Sequence, residues 1–146
     1  MRLSQYVLLV ILFVLIIFLL LRPLNDKTKG CPFKLLRHHQ YKDVRIDCET
    51  GEISLCPPTC QKFDVSKQKC DRSTDTFTDP AVICPPGAFG NVKHPYNCTS
   101  YFLCAGSTPI KLYCSDGFCF NGSQCGRVED GCAAPCHDIC EDCCAT

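Results

Sequence analysis

Sixteen cysteines, all of them after residue 30, constrain this chain more than anything else in it. Their density there is well above the roughly 8–10% that marks a disulfide scaffold. Such a frame replaces a large apolar core with covalent staples, and it requires an oxidising compartment. The segment before the cysteines differs in kind. "YVLLVILFVLIIFLLL", Tyr6 to Leu21, has no charge and no helix breaker. As a helix its sixteen residues reach about 24 Å, against a hydrocarbon core of about 30 Å. Counting from Leu3 to Leu24, with Arg22 snorkelling, brings the span to the needed length. A cleaved signal peptide is the alternative, but Arg22, Pro23, Leu24 and Asn25 follow in place of a small-residue cleavage pattern. An uncleaved signal anchor is therefore expected.

Two signals compete over orientation. Arg2 precedes the span and Arg22, Lys27 and Lys29 follow it, which alone would keep the C-terminal part in the cytosol. The cysteines place it outside, and long folded domains translocate largely regardless of charge. The expected layout is a short tail (1–5), a signal-anchor transmembrane helix (6–24), a polar linker (25–30), two cysteine-rich modules (31–83 and 84–132) and a cysteine-rich tail (133–146). Asn97 and Asn121 open the sequons "NCT" and "NGS" and are glycosylation candidates.

The two modules read as a repeat. "VRIDCETGEISLCPPTCQKFDVSKQKC" and "SYFLCAGSTPIKLYCSDGFCFNGSQC" each begin with a short apolar run ending in Cys48 or Cys104. A turn with Gly51 or Gly106 follows, then a second run ending in Cys56 or Cys114. This is the pattern of a hairpin, with a longer loop in the second block. Each block then places Cys60 or Cys119 near Phe63-Asp64 or Phe120-Asn121, and closes on Cys70 or Cys125. The fold class expected is a small, disulfide-rich, mainly β structure of two short-hairpin modules after one N-terminal transmembrane helix.

Charge narrows the function. Fifteen Lys and Arg balance fifteen Asp and Glu, so there is no basic footprint for nucleic acid, and a neutral ligand or a protein partner fits better. No Ser/His/Asp arrangement, phosphate loop or HExxH stretch is present, so no catalytic residue, enzyme activity or cofactor is expected. Zinc is the rival to disulfides. His38 with Cys48, Cys56 and Cys60, or Cys136, His137, Cys140 and Cys143 in the tail, are ligand types at plausible spacing. In the tail, a helix would set Cys132, Cys136, Cys140 and Cys143 on one face. A compartment that preserves disulfides weighs against both sets.

The second module carries a resemblance. From Cys84 the cysteines run Cys84, Cys98, Cys104, Cys114, Cys125 and Cys132, with gaps of 13, 5, 9, 10 and 6 residues. Tyr101-Phe102 stands before the third of them, Gly106 in the hairpin, and "CSDGFCFN" supplies Cys114, Gly117, Phe120 and Asn121. This resembles the peritrophin-A type, or type-2, chitin-binding domain of arthropod matrix proteins, over about a third of the chain. The resemblance implies the pairs Cys84–Cys104, Cys98–Cys132 and Cys114–Cys125, a choice that spacing alone does not make. In the first module Cys31 and Cys48, and Cys56 and Cys70, stand where two of those pairs would be. The second and sixth cysteines are missing there, and Ile46 and Asp47 replace the aromatic pair. Cys60 and Cys119, equivalent extras, are candidates for a bridge between the modules.

The function implied is binding of chitin, an uncharged polymer of flat rings, by displayed aromatic side chains. Tyrosine suits this because its ring is apolar while its hydroxyl stays wet. Candidate binding residues are Tyr96, Tyr101, Phe102, Tyr113, Phe118 and Asn121. Strand alternation puts Tyr101 and Phe102 on opposite faces, so one packs inward. Tyr113, on the neighbouring strand, is expected to be displayed, and Phe120 to be core. A membrane-anchored protein of this kind is similar to envelope proteins of insect DNA viruses, particularly baculovirus-like ones, linked to oral infection through the chitinous gut lining. That context implies chitin and a membrane as partners, with other envelope proteins as further ones; the alternative function is a cysteine-rich protein–protein assembly module of an envelope complex, favoured in the first module by its missing aromatic pair, or a zinc-binding Cys/His module.

Overall fold

The computed structural model describes residues 3–21, 30–140 and 144. It divides into two units, Met1–Pro32 and Phe33–Thr146. In the first, the apolar run forms helix α1, Leu3–Leu21. Its 19 residues rise about 28 Å. Among the described residues no helix is long and apolar enough to cross a membrane. The expected anchor, 6–24, extends beyond Leu21 into residues outside the described ones, as does most of the linker.

The second unit repeats one plan twice. β1 (Leu35–Arg37), β2 (Val44–Asp47) and β3 (Ile53–Leu55) form an antiparallel sheet in that order, and β4 (Lys62–Asp64) pairs with β5 (Lys69–Asp71) as a small hairpin. One turn of helix, α2 (Pro80–Ile83), follows. It starts where the Asp79 carboxylate accepts the Ala81 N–H and Pro80 needs no donor. Then β6 (Phe89–Lys93), β7 (Ser100–Ala105) and β8 (Thr108–Tyr113) form a second antiparallel sheet, and β9 (Phe118–Phe120) pairs with β10 (Cys125–Arg127). The hairpins expected at Cys48–Cys56 and Cys104–Cys114 are the β2–β3 and β7–β8 pairs. The second is tighter than expected: Ala105 already pairs with Thr108, leaving Gly106 and Ser107 as the turn. Gly106, at φ 72°, supplies the left-handed conformation such a short turn needs. Pro109 is accommodated because β8 is an edge strand.

Each repeat has its own small core. Cys56, Cys60, Phe63 and Cys70 are buried together in the first, with Leu35, Val65, Cys140 and Cys144 against them. Ile83, Cys84, Phe102 and Cys104 are buried together in the second, and Tyr41 and Phe77 from the first module pack on them. The modules are therefore not independent: part of the second core is supplied by the first.

Sulfur chemistry joins them further. Cys84–Cys104, Cys114–Cys125 and Cys56–Cys70 are bonded as their positions implied. Cys31, Cys48 and Cys140 are disulfide-bonded as well. Two expectations are corrected. Cys98 pairs with Cys136, and Cys132 with Cys119, in place of Cys98–Cys132. Cys60 and Cys119 do not bridge each other, because Cys60 is bonded to Cys144. The reason is the path of the tail. It does not form the helix that would set Cys132, Cys136 and Cys140 on one face; Gly131 at φ 93° and Pro135 interrupt it. It runs extended instead. Cys136 bridges Asn97 in the second module, and Ile139 bridges Leu55 in the first. The Leu55 N–H donates to the Asp138 carbonyl at 2.9 Å and the Cys140 N–H to the Leu55 carbonyl at 3.0 Å. The tail is a strap fastened to both modules.

Candidate binding surface

Alternation along β7 sets the two faces of the second sheet. Phe102 and Cys104 point into the core, and Phe102 is 0% exposed. As a surface contact Phe102 is thereby corrected: it stacks on the buried His94 ring, with centroids 5.5 Å apart. Tyr101 takes the opposite face and is half-buried, its ring stacked on Phe120 at 4.8 Å. Phe120, 1% exposed, is core as expected.

Tyr113 is also corrected. It alternates with Leu112 onto the inner side of β8 and is half-buried beneath the Lys111 ammonium, 5.2 Å from its ring centroid. Burial, and then the Asp43 charge, push its hydroxyl pKa up. Tyr96 is half-buried too, its hydroxyl 3.2 Å from His38 Nε2. Phe118 and Asn121 are exposed. Asn121 Oδ1 accepts from the Ser123 and Gln124 N–H groups and so closes the β9–β10 turn.

What remains open is the outer face of the β6–β7–β8 sheet. Register puts Phe89 beside Ala105 and Thr108, and Asn91 beside Leu103 and Ile110. The β9–β10 hairpin covers the Tyr101 end, through Phe120 and through Asn91 Nδ2 donating to the Ser123 carbonyl at 3.0 Å. The other end is uncovered: Phe89 is 81% exposed and Ile110 46%. Phe89 was not among the sequence candidates. It lies before the hairpin that carries the resemblance, and its face is legible only once β6 is registered on β7.

Beneath this sheet lies a buried charged cluster. Asp43, 1% exposed, precedes β2; its carboxylate accepts from Lys111 Nζ of β8 at 2.5 Å and from His94 Nε2 at 3.4 Å. His94 Nδ1 accepts the Tyr96 N–H at 3.2 Å, so the ring is the neutral tautomer with its proton on Nε2. Burial pushes the Asp43 carboxyl up, but the hydrogen bonds and charges of His94 and Lys111 outweigh it and hold it at about 2. Burial lowers His94 against the opposing pull of Asp43. Burial also lowers Lys111, and the charge and hydrogen bond of Asp43 oppose it. The cluster joins first module to second, and every charge in it is matched inside the protein.

The remaining candidates are placed as follows. Asn97 is 3% exposed and its Oδ1 accepts from Thr99 N–H and Oγ1, so the folded chain presents Asn121, not Asn97, to a glycan. Cys48, Cys56 and Cys60 are all in disulfides, and so are Cys136 and Cys140; none offers zinc a thiolate in this state. His38 Nδ1 instead accepts the Gln40 and Tyr41 N–H groups, His137 is half-buried, and Cys143 lies outside the described residues. The sulfurs of Cys98, Cys132 and Cys136 do gather within 4.8 Å of one another, as neighbouring disulfides.

Compared with protein-family models and with curated proteins, the chain matches none.

Proposed function

We propose that this chain is a membrane-anchored chitin-binding protein whose contact surface is the open outer face of the β6–β7–β8 sheet. The observation that carries the reading is Phe89, an aromatic ring 81% exposed on the same sheet face as Thr108 and Ile110. An exposed aromatic ring with apolar neighbours on one sheet face can seat a sugar ring, which offers a flat, weakly polar face. Polar neighbours are at hand for hydroxyl and acetamido groups. The ligand is uncharged, in keeping with a chain whose formal net charge is +0 and whose buried ions are matched internally.

The apolar run 6–24 serves as the anchor, with the disulfide frame outside the cytosol. The setting most in keeping with the resemblance is a virion envelope meeting a chitinous gut matrix. Full-length protein, oxidised and solubilised in detergent, should be retained on chitin beads. Phe89→Ala should lose most of that retention while keeping the wild-type disulfides and thermal midpoint, because an exposed ring contributes little to stability. Failure of the folded, oxidised wild type to bind chitin would overturn the reading.

A further inference from the structure

An open cleft of about 300 Å³ lies where the first module meets β8. Gln61, Thr74, Thr76 and Phe77 line it from the first module, and Pro109, Ile110 and Lys111 from β8. That volume is at the lower end of the ~300–1,000 Å³ typical of small-ligand sites. One wall is apolar and the other carries hydroxyl and amide groups.

Two features define what it takes. The first is neutrality. Lys111 is the one charged residue of the lining, and its ammonium is engaged by Asp43 at 2.5 Å, with the side chain 5% exposed. An anion would have to compete with that carboxylate. The second is unused polarity. Thr74 is exposed and Thr76 is 4% exposed, and among the described residues neither hydroxyl has a hydrogen-bond partner in the protein, so both are open to a ligand. Gln61 Nε2 donates to the Pro58 carbonyl at 2.9 Å, which leaves its Oε1 as an acceptor.

Position completes the argument. Ile110 belongs to both surfaces, since it pairs with Leu103 on the outer face and also lines the cleft. Strands about 4.8 Å apart put β8 about 10 Å from β6. A chain of pyranose rings laid across the strands from Phe89 therefore reaches the cleft mouth. We propose that the cleft is a second sugar subsite, taking one N-acetylated pyranose ring of the same polymer. The apolar face of the ring rests on Phe77, Pro109 and Ile110. Its hydroxyl and acetamido groups meet Thr74, Thr76 and Gln61. The first module, which lacks the aromatic pair, thus contributes to binding through this wall. The inference rests on the chitin reading above.

The test is calorimetric titration of the full-length protein in detergent with chitohexaose. Thr74→Val/Thr76→Val keeps side-chain shape and removes both hydroxyls. It should weaken binding about tenfold, the equivalent of one well-made hydrogen bond, while Thr74→Ser/Thr76→Ser stays near wild type. If the valine pair binds as wild type while Phe89→Ala is weakened, the cleft is not a subsite and the chitin reading stands. If the wild type itself does not bind chitohexaose, the chitin reading falls and the subsite with it. Should the valine pair lose the wild-type unfolding midpoint, Gln61→Ala, at a half-buried position, decides by the same titration, with unchanged affinity counting against the subsite.

Discussion

Cys132 Sγ lies 3.8 Å from Cys136 Sγ, and which of the two Cys98 bonds cannot be read from spacing. Local pairs such as Cys56–Cys70 and Cys114–Cys125 span 14 and 11 residues and each ties the end of a three-stranded sheet to the small hairpin that follows it in the same module. Around Cys98 the candidates crowd, and the strap resolves them: the Asn97–Cys136 bridge brings Cys136 beside Cys98. Peptide mapping of the unreduced protein should recover Cys98 linked to Cys136 and Cys119 linked to Cys132. Recovery of Cys98 linked to Cys132 would show that the strap is shifted by one cysteine. The aromatic residues show the same division. Alternation at Tyr101 and Phe102 separates the two rings, but that Phe102 is the inward one depends on Tyr41 and Phe77 arriving from the other module.

Among the elements, β8 holds the two modules together through a side chain buried beneath it. Lys111 reaches Asp43, ahead of β2, with both side chains at most 5% exposed. An ion pair desolvated to this degree is costly to leave half-made. Asp43→Asn should destabilise by about 3–5 kcal/mol, because it strands the ammonium, and Lys111→Met by a similar amount. Combined, the two should cost clearly less than their sum in denaturant unfolding with disulfides intact. Additive losses would mean that the residues act separately. This pair could not be anticipated, since 68 residues separate its members and neither lies in a recognisable motif.

At the scale of the whole molecule, the joint between modules should be sensitive to acid. The folded pKa values of His38 and His94 lie below 6.5, through burial in both cases. The unfolded chain therefore binds protons first as pH falls. The stability these rings contribute is fully present above about pH 6.5 and is lost as pH drops through their folded values. Asp43 adds a second step: its stabilisation is present above 3.8 and is lost as pH falls toward about 2. The thermal midpoint should thus be flat near neutrality and decline below pH ~6.5. His94→Gln should flatten the first part of that decline. A midpoint that rises on acidification would contradict the arrangement.

Much of this organisation is local and therefore legible in the chain itself. The density of cysteines dictates a disulfide frame, the period of two with Gly51 and Gly106 marks the hairpins, and the repeated order of Cys, Phe and Cys marks two related modules in which Phe63 and Phe120 are both buried. These features depend on contacts within a few residues, where spacing leaves little choice. The tertiary structure alone decided the course of the strap over 133–140, the Asp43–His94–Lys111 cluster, the inward turn of Tyr113 and the exposure of Phe89. Each depends on how one module is laid against the other. That packing is chosen by shape and burial summed over distant segments, which no short window of sequence contains.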